Sequence, residues 1–336
     1  MINRILLIVP VVLLFSVSHL FADLQKGLDA YNNENYATAL NEWRPLAEEG
    51  NPKAQYYLGV LYHDTNRAVE GVPPDWRESA KWYALAAEQG HRTAQFHLGI
   101  QLENGLGIPE DRAEAVKWYR LSAEQGYAPA QSNLGNMYER GSGIPEDKAE
   151  AVKWYTLAAE QGDATEVEIQ SSGVPDPPWF VGRAQFRLGL MYDDGDGVPQ
   201  DHREAVKWYS LAAEQGWGEA GFTLGRMYDD GDGVPEDDRE AVKWHTIGAE
   251  QRVAESQNAL GLMYYLGAGV PKDDVYAHMW FNIASSHGQA YGIVSNIHER
   301  ARENKERVAD EMTPSQIEEA EALLRKCLNQ RYRDCE

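Results

Sequence analysis

The sequence predicts an all-α protein built as a right-handed α-solenoid of stacked helix pairs. Three observations predict it. Tryptophan recurs at Trp82, Trp118 and Trp154, and again at Trp208, Trp244 and Trp280, at 36-residue steps inside each triplet. Glycine recurs with it, at Gly59, Gly99, Gly135, Gly189, Gly225 and Gly261. Within each period the apolar residues follow helical spacing and not strand alternation. One pair of short helices cannot bury its apolar stripe alone. Stacked pairs can, and such arrays present a concave inner surface.

Residues 1–22 are the first element. Arg4 supplies a positive charge, an apolar run from Ile5 to Val17 follows, and the segment ends Leu20-Phe21-Ala22. That is the layout of a secretory signal peptide, with cleavage expected after Ala22. The run is short of the ~20 residues that cross a bilayer as a helix, which disfavours an uncleaved anchor. Residues 23–50 read as a degenerate half-repeat, with Trp43 at the Trp position.

Repeats one to three occupy 54–162 and repeats four to six 184–288. Each holds two helices. In the first, Ala54, Leu58, Leu61 and Tyr62 share one face; in the second, Ala115, Trp118, Tyr119, Ser122 and Ala123 do. The Gly of each first helix costs about 1 kcal/mol against Ala, so the expectation there is a close approach of two helix backbones. Asp75–Glu78, Asp111–Glu114, Asp147–Glu150, Asp201–Glu204 and Asp237–Glu240 precede the second helices and read as reciprocal caps. Gly90, Gly126, Gly162 and Gly216 follow those helices as left-handed stops.

Residues 163–183 interrupt the period with Val174-Pro175-Asp176-Pro177-Pro178-Trp179-Phe180-Val181. Three prolines exclude a regular helix across them. Two readings stand level: Trp179 and Phe180 fold back onto neighbouring helices, or they anchor a partner from a recognition loop. Residues 289–336 close the chain. Thr313-Pro314-Ser315-Gln316 is a helix start, and the last helix is expected to reach about Asn329. Cys327 and Cys335 are the only cysteines. Eight helical residues would hold them ~12 Å apart, so a disulfide requires the helix to stop and the tail to turn back. The alternative is two free thiols on a frayed end.

The unit AQSNLGNMYERGSGIPEDKAEAVKWYTLAAEQG at 130–162 is very similar to the Sel-one-like repeat, a branch of the tetratricopeptide type. The resemblance covers essentially all of 24–288 through its recurring LG, GxGxP link and AEQG ending. The tail, with Ala277-His278-Met279-Trp280 and Met312-Thr313-Pro314, resembles that of exported bacterial members. The resemblance implies tetratricopeptide-like helix pairs and a periplasmic or secreted scaffold that binds proteins without catalysis.

The chemistry found elsewhere is sparse. The 31 basic against 53 acidic residues give a net charge of −22, which disfavours nucleic acid. The Asp-Gly loops at 193–197 and 229–233 fail the EF-hand template, and turn chemistry accounts for them. The histidines lack zinc spacing, and no serine-hydrolase or phosphate-loop signature occurs. The expectation is therefore no enzyme activity, no cofactor and no metal, with no membrane-spanning segment after signal removal. Positions that vary between repeats are free for recognition. Counting the Ala of each A-Q as place one, the fourth and seventh places give a candidate groove: Tyr57, Val60, His97, Ile100, Asn133, Asn136, Arg187, Leu190, Thr223, Arg226 and Leu262. Such a groove suits a protein or extended peptide in the bacterial envelope. The alternative is a cell-wall or small-molecule binder, hydrolytic toward penicillin-type or peptidoglycan ligands.

Overall fold

A computed structural model describes residues 24–63, 73–162, 179–286, 296–332 and Cys335. The signal segment and most of the insertion lie outside these residues. Among the described residues the structure is all-helical and has no strand. No helix in them is long and apolar enough to cross a membrane.

The described residues fall into two compact units, one up to Leu157 and the other from Ala158 onward. The first unit holds α1 (residues 24–32), α2 (Tyr36–Glu48), α3 (Pro52–His63), α4 (Trp76–Glu88), α5 (Arg92–Asn104), α6 (Arg112–Glu124) and α7 (Ala128–Arg140), with most of α8 (Lys148–Ala159). The second holds α9 (Trp179–Asp194), α10 (His202–Glu214), α11 (Gly218–Asp230), α12 (Asp238–Glu250), α13 (Ala254–Leu266) and α14 (Asp274–Ser286). Two closing helices follow, α15 (Ile297–Ala309) and α16 (Pro314–Asn329).

Inside a repeat, the contact at the recurring glycine differs from the sequence expectation. An aromatic ring of the second helix, not its backbone, lies on the glycine. A Cβ at Gly59 would stand 2.4 Å from the Tyr83 ring, and one at Gly135 would stand 2.8 Å from Tyr155. Tyr119, Tyr209, His245 and Phe281 cover Gly99, Gly189, Gly225 and Gly261 in the same way. The interior column is thus the residue after each tryptophan, and Tyr119, Tyr155 and Tyr209 are fully buried. The tryptophans flank it: Trp82, Trp244 and Trp280 are buried, whereas Trp118, Trp154 and Trp208 are half-buried.

The N-terminal region follows the same rule and corrects its own register. Gly27 of α1 lies under Trp43 of α2, so Trp43 is the equivalent of Tyr83 and not of Trp82. Residues 24–50 therefore form a complete helix pair and not half of one.

Between repeats, two devices recur. The close backbone approach sits at the second glycine of the link, at Gly107, Gly143, Gly233 and Gly269. A Cβ on Gly143 (φ 70) would come within 2.4 Å of the Arg112 carbonyl oxygen, in the first turn of the preceding repeat's second helix. Gly107 and Gly269 press in the same way on Trp76 and Asp238. The other device is a glutamine. The Nε2 of Gln55, Gln95, Gln131 and Gln257 donates to the carbonyl of Ala47, Ala87, Ala123 and Ala249, at 3.0 to 3.1 Å. Those carbonyls belong to the last turn of the preceding second helix, where each also accepts one amide of the turn that follows, so the glutamine supplies the second donor.

The second helices are capped by aspartate alone. Asp111 and Asp147 accept the amides of Glu114 and Glu150, each at 2.9 Å. The return arm expected of Glu is missing. The amides of Asp111 and Asp147 donate instead to the carbonyls of Leu102 and Tyr138, which ties the link shut. The glutamates turn outward to a lysine three residues on, as in Glu114–Lys117 at 2.6 Å. Asp273 caps α14 similarly, although Tyr276 stands where the others have Glu. The one reciprocal capping box among the described helices belongs to Thr313 and Gln316 at α16.

The C-terminal helix stops at Asn329, and Arg331 and Tyr332 adopt left-handed φ values of 54° and 68°. This turn brings the Cα atoms of Cys327 and Cys335 to 4.8 Å, and their sulfurs are bonded. Both sulfurs join an apolar cluster with Met279, Trp280, Val308 and Ala320.

Candidate functional site

The first helices expose one stripe, and the structure divides it by place. The fourth place is a junction position. Tyr57 is buried and stacks on Trp43 of the preceding pair, with ring centroids 4.8 Å apart. His97 repeats that contact on Tyr83, at 5.0 Å with the planes 12° apart. Asn133, Arg187 and Thr223 stand at the same place and are half-buried. A side chain can vary here and still be committed to packing, because its neighbour in the preceding repeat is a ring that accepts many shapes. Tyr57 and His97 are therefore packing residues of the first unit and not free groove residues.

The seventh place changes character along the chain. Val60 is buried. Ile100, Asn136, Leu190 and Leu262 are half-buried, and Arg226 is exposed, its guanidinium 3.8 Å from Asp230. The eleventh place is open in every described repeat: Asn104, Arg140, Asp194, Asp230 and Leu266 are exposed. Leu266 is 69% exposed, a large apolar side chain standing in water. The accessible stripe is thus formed by the eleventh place and, beyond Val60, by the seventh. In the second unit it carries Leu190, Arg226, Leu262 and Leu266.

Beside it in the second unit stands the half-buried Glu219, whose carboxyl is pushed above the usual range by burial. Nearby Glu255 adds to that rise. In the first unit, burial lowers the His97 pKa to about 3, helped by the neighbouring His63 and His91. His91 is lowered to about 4, by burial first and by Lys53 next.

The tenth place carries a second set of polar contacts, from inside each repeat. Tyr119 and Tyr155 donate their hydroxyls to Glu103 and Glu139, each at 2.7 Å. Tyr209 donates to Asp193 at 3.3 Å, and His245 Nε2 lies 3.1 Å from Asp229. These acids hold the buried rings in place at the rim of the stripe. Sequence reasoning passed over them, because one acid per repeat looks like ordinary surface charge.

Phe180 does not stand on a loop. It lies in the first turn of α9, is 6% exposed, and has the Arg183 guanidinium 5.3 Å from its ring. Of the two readings of the insertion, packing describes Phe180. The Trp179 side chain and residues 163–178 lie outside the described residues.

The second-helix side of the first unit has a concavity of its own. It encloses about 970 Å³ between α2 and α4, over Gln55 and Tyr62 of α3. Arg44 stands at its wall and donates to the Tyr62 hydroxyl at 2.5 Å. Leu85 adds an apolar edge. It was not legible in sequence because Leu40 and Arg44 belong to the degenerate first pair.

Comparison with known proteins gives one family. The Sel1 repeat model matches residues 52–91, 93–127, 128–163, 182–217, 220–253 and 254–289. The chain is similar to a Sel1 repeat protein of Oxalobacter formigenes, at 33% identity and a TM-score of 0.63. That match covers 78% of this chain and 96% of the other. It is also similar to c5321, described as a protective antigen of uropathogenic Escherichia coli with an SLR fold. There the identity is 25% and the TM-score 0.40, covering 94% and 93% of the two chains. A sel1 repeat protein of Klebsiella pneumoniae matches at 20% identity and a TM-score of 0.38, over 68% and 99%. No curated protein matches the chain.

Proposed function

The chain belongs to the Sel1 repeat family, whose solenoids of helix pairs generally serve protein–protein interaction without catalysis, and from that premise we propose that it is an envelope scaffold or regulator. It binds a protein or extended peptide along the stripe of its first helices. One observation carries the reading. On the first helices and the rings they pack against, the repeated columns are buried in packing, as Tyr119, Tyr155 and Tyr209 are, while the eleventh place and, beyond the buried Val60, the seventh differ and stay accessible. In the second unit the stripe sets Leu190, Leu262 and Leu266 beside Arg226 and the carboxylates of Asp194 and Asp230, which offers apolar contact with charges to fix register.

Sugar stacking, the basis of the cell-wall alternative, needs free ring faces. One face of each of Tyr83, Tyr119, Tyr155 and Tyr209 is covered by its glycine and the rings are buried, while Trp118, Trp154 and Trp208 are half-buried. Export rests on the signal-like residues 1–22, and the two cysteines suit an oxidising compartment.

Two experiments test the proposal. Periplasmic proximity crosslinking from the full chain identifies the partner, and Arg226→Glu with Leu266→Glu is expected to weaken its binding while leaving the circular dichroism spectrum unchanged. Equal affinity in the double variant removes the stripe from consideration. N-terminal sequencing of the exported protein is expected to begin at Asp23.

A further inference from the structure

We propose that Asp193, His202 and Asp232 form a binding site for one divalent first-row transition ion, clasping the fourth repeat to the fifth. The three residues come from separate places in sequence. Asp193 occupies the tenth place of α9, His202 is the first residue of α10, and Asp232 is the middle residue of the next repeat's Gly-Asp-Gly link.

Folding brings their donor atoms together. His202 Nδ1 lies 2.7 Å from Asp193 Oδ1 and 3.7 Å from Asp232 Oδ1. All three ligand atoms fall within 4.8 Å of one another. Ligands bound at ~2.1 Å to a common ion stand roughly 3–4 Å apart, so a small rotation of the exposed Asp232 side chain completes the set.

The residues around the donors hold them in position, as the outer shell of a metal site does. The other oxygen of Asp193 receives the Tyr209 hydroxyl at 3.3 Å, and Gln200 Nε2 donates to the Asp193 carbonyl at 2.8 Å. Asp232 is delivered by backbone. Gly233 is seated so tightly on α10 that a Cβ there would stand 2.6 Å from the His202 Cβ. The donors are 24–55% exposed, which leaves the remaining coordination positions to water.

Donor chemistry selects the ion class. One imidazole with two carboxylates suits Zn²⁺ or its first-row neighbours, whereas Ca²⁺ takes six to eight oxygens. Equivalent junctions lack the combination. Trp76 and Leu106 meet at one, and Arg112 and Ser142 at another. Searching single loops for ligand spacing misses the site because Asp193 and His202 lie on the two helices flanking one link and Asp232 lies in the next link.

The test titrates the untagged full chain with ZnCl₂ by calorimetry and with CoCl₂ by visible absorption. One saturable equivalent is expected, with a ligand-field band for Co²⁺ and a raised unfolding temperature. His202→Ala and Asp232→Asn are each expected to weaken binding at least about tenfold and to abolish the thermal shift. Asp230→Asn, one exposed carboxylate nearby, is expected to leave binding unchanged. Binding that survives both His202→Ala and Asp232→Asn, or the absence of a saturable equivalent in the parent chain, overturns the proposal. Asp232→Asn keeps the shape of an exposed side chain, so its result stands even where His202→Ala perturbs α10.

Discussion

Adding one methyl group to Gly135 decides which of two opposed effects governs the ring contact. In an exposed helix Gly→Ala gains up to about 1 kcal/mol from propensity. At Gly135 the new Cβ would meet Tyr155 at 2.8 Å, and that ring is itself held by Glu139. Overpacking of this kind costs ~1–3 kcal/mol, so Gly135→Ala is expected to lower stability in urea unfolding despite its better propensity. The buried histidines set a second expectation. His97 and His91 have folded pKa values of about 3 and about 4, below the ordinary 6.5. The unfolded chain binds more protons than the folded one between those values and 6.5. Their contribution is therefore full above pH ~6.5 and is lost as the pH falls toward 3. The groups facing His97 are His63, His91, Tyr56, Tyr83 and Phe96, and none of them is a carboxylate that would reverse the sign. His97→Phe is expected to flatten the acid limb of the stability profile, measured by denaturant midpoints across pH.

Caps and junctions operate at the scale of the helix. Asp111→Ala removes the side-chain acceptor of α6 and is expected to cost about 1 kcal/mol, whereas Glu114→Ala, losing only an exposed lysine pair, stays within about 0.5. Gln131→Leu removes one of two donors to the Ala123 carbonyl, which keeps the Gly126 amide, and is expected to cost about 1 kcal/mol, read by the same unfolding experiment. Much at this scale was legible. Repeat spacing located both helices of every unit, Asp marked the N-caps, and Thr313 with Gln316 announced a capping box that exists. What escaped the sequence has a common cause. Trp118 and Tyr119 are neighbours on one helix, both are aromatic, and periodicity alone does not say which points inward. Asp-x-x-Glu matches a reciprocal cap in letters, but the cap's amide already has a carbonyl partner from the helix before it. The fourth place varies in sequence, which reads as freedom, yet Tyr57 and His97 lie flat on the ring of the preceding pair.

Over the whole molecule, stability is a chain of nearest-neighbour terms, so a perturbation at one end is expected to stay there. The Cys327–Cys335 bond closes a loop of eight residues' separation and contributes ~2–3 kcal/mol in the chain-entropy account. Reduction is expected to raise hydrogen exchange in α15 and α16 while α3 to α6 keep their protection; uniform loss across the chain would contradict local coupling. Stripe, caps and columns all repeat, but the seams are what permit repetition at all. The seams meet main-chain atoms: link glycines such as Gly143 on a helix start, and glutamines such as Gln131 on the last carbonyls of a helix, with Gly221 standing at the glutamine's place in the fifth repeat. A copy gained or lost by recombination between near-identical stretches of gene therefore finds its new neighbour already cut to fit. The number of modules can drift over generations while the joinery stays fixed, and each event lengthens or shortens the exposed stripe of the first helices by one tooth.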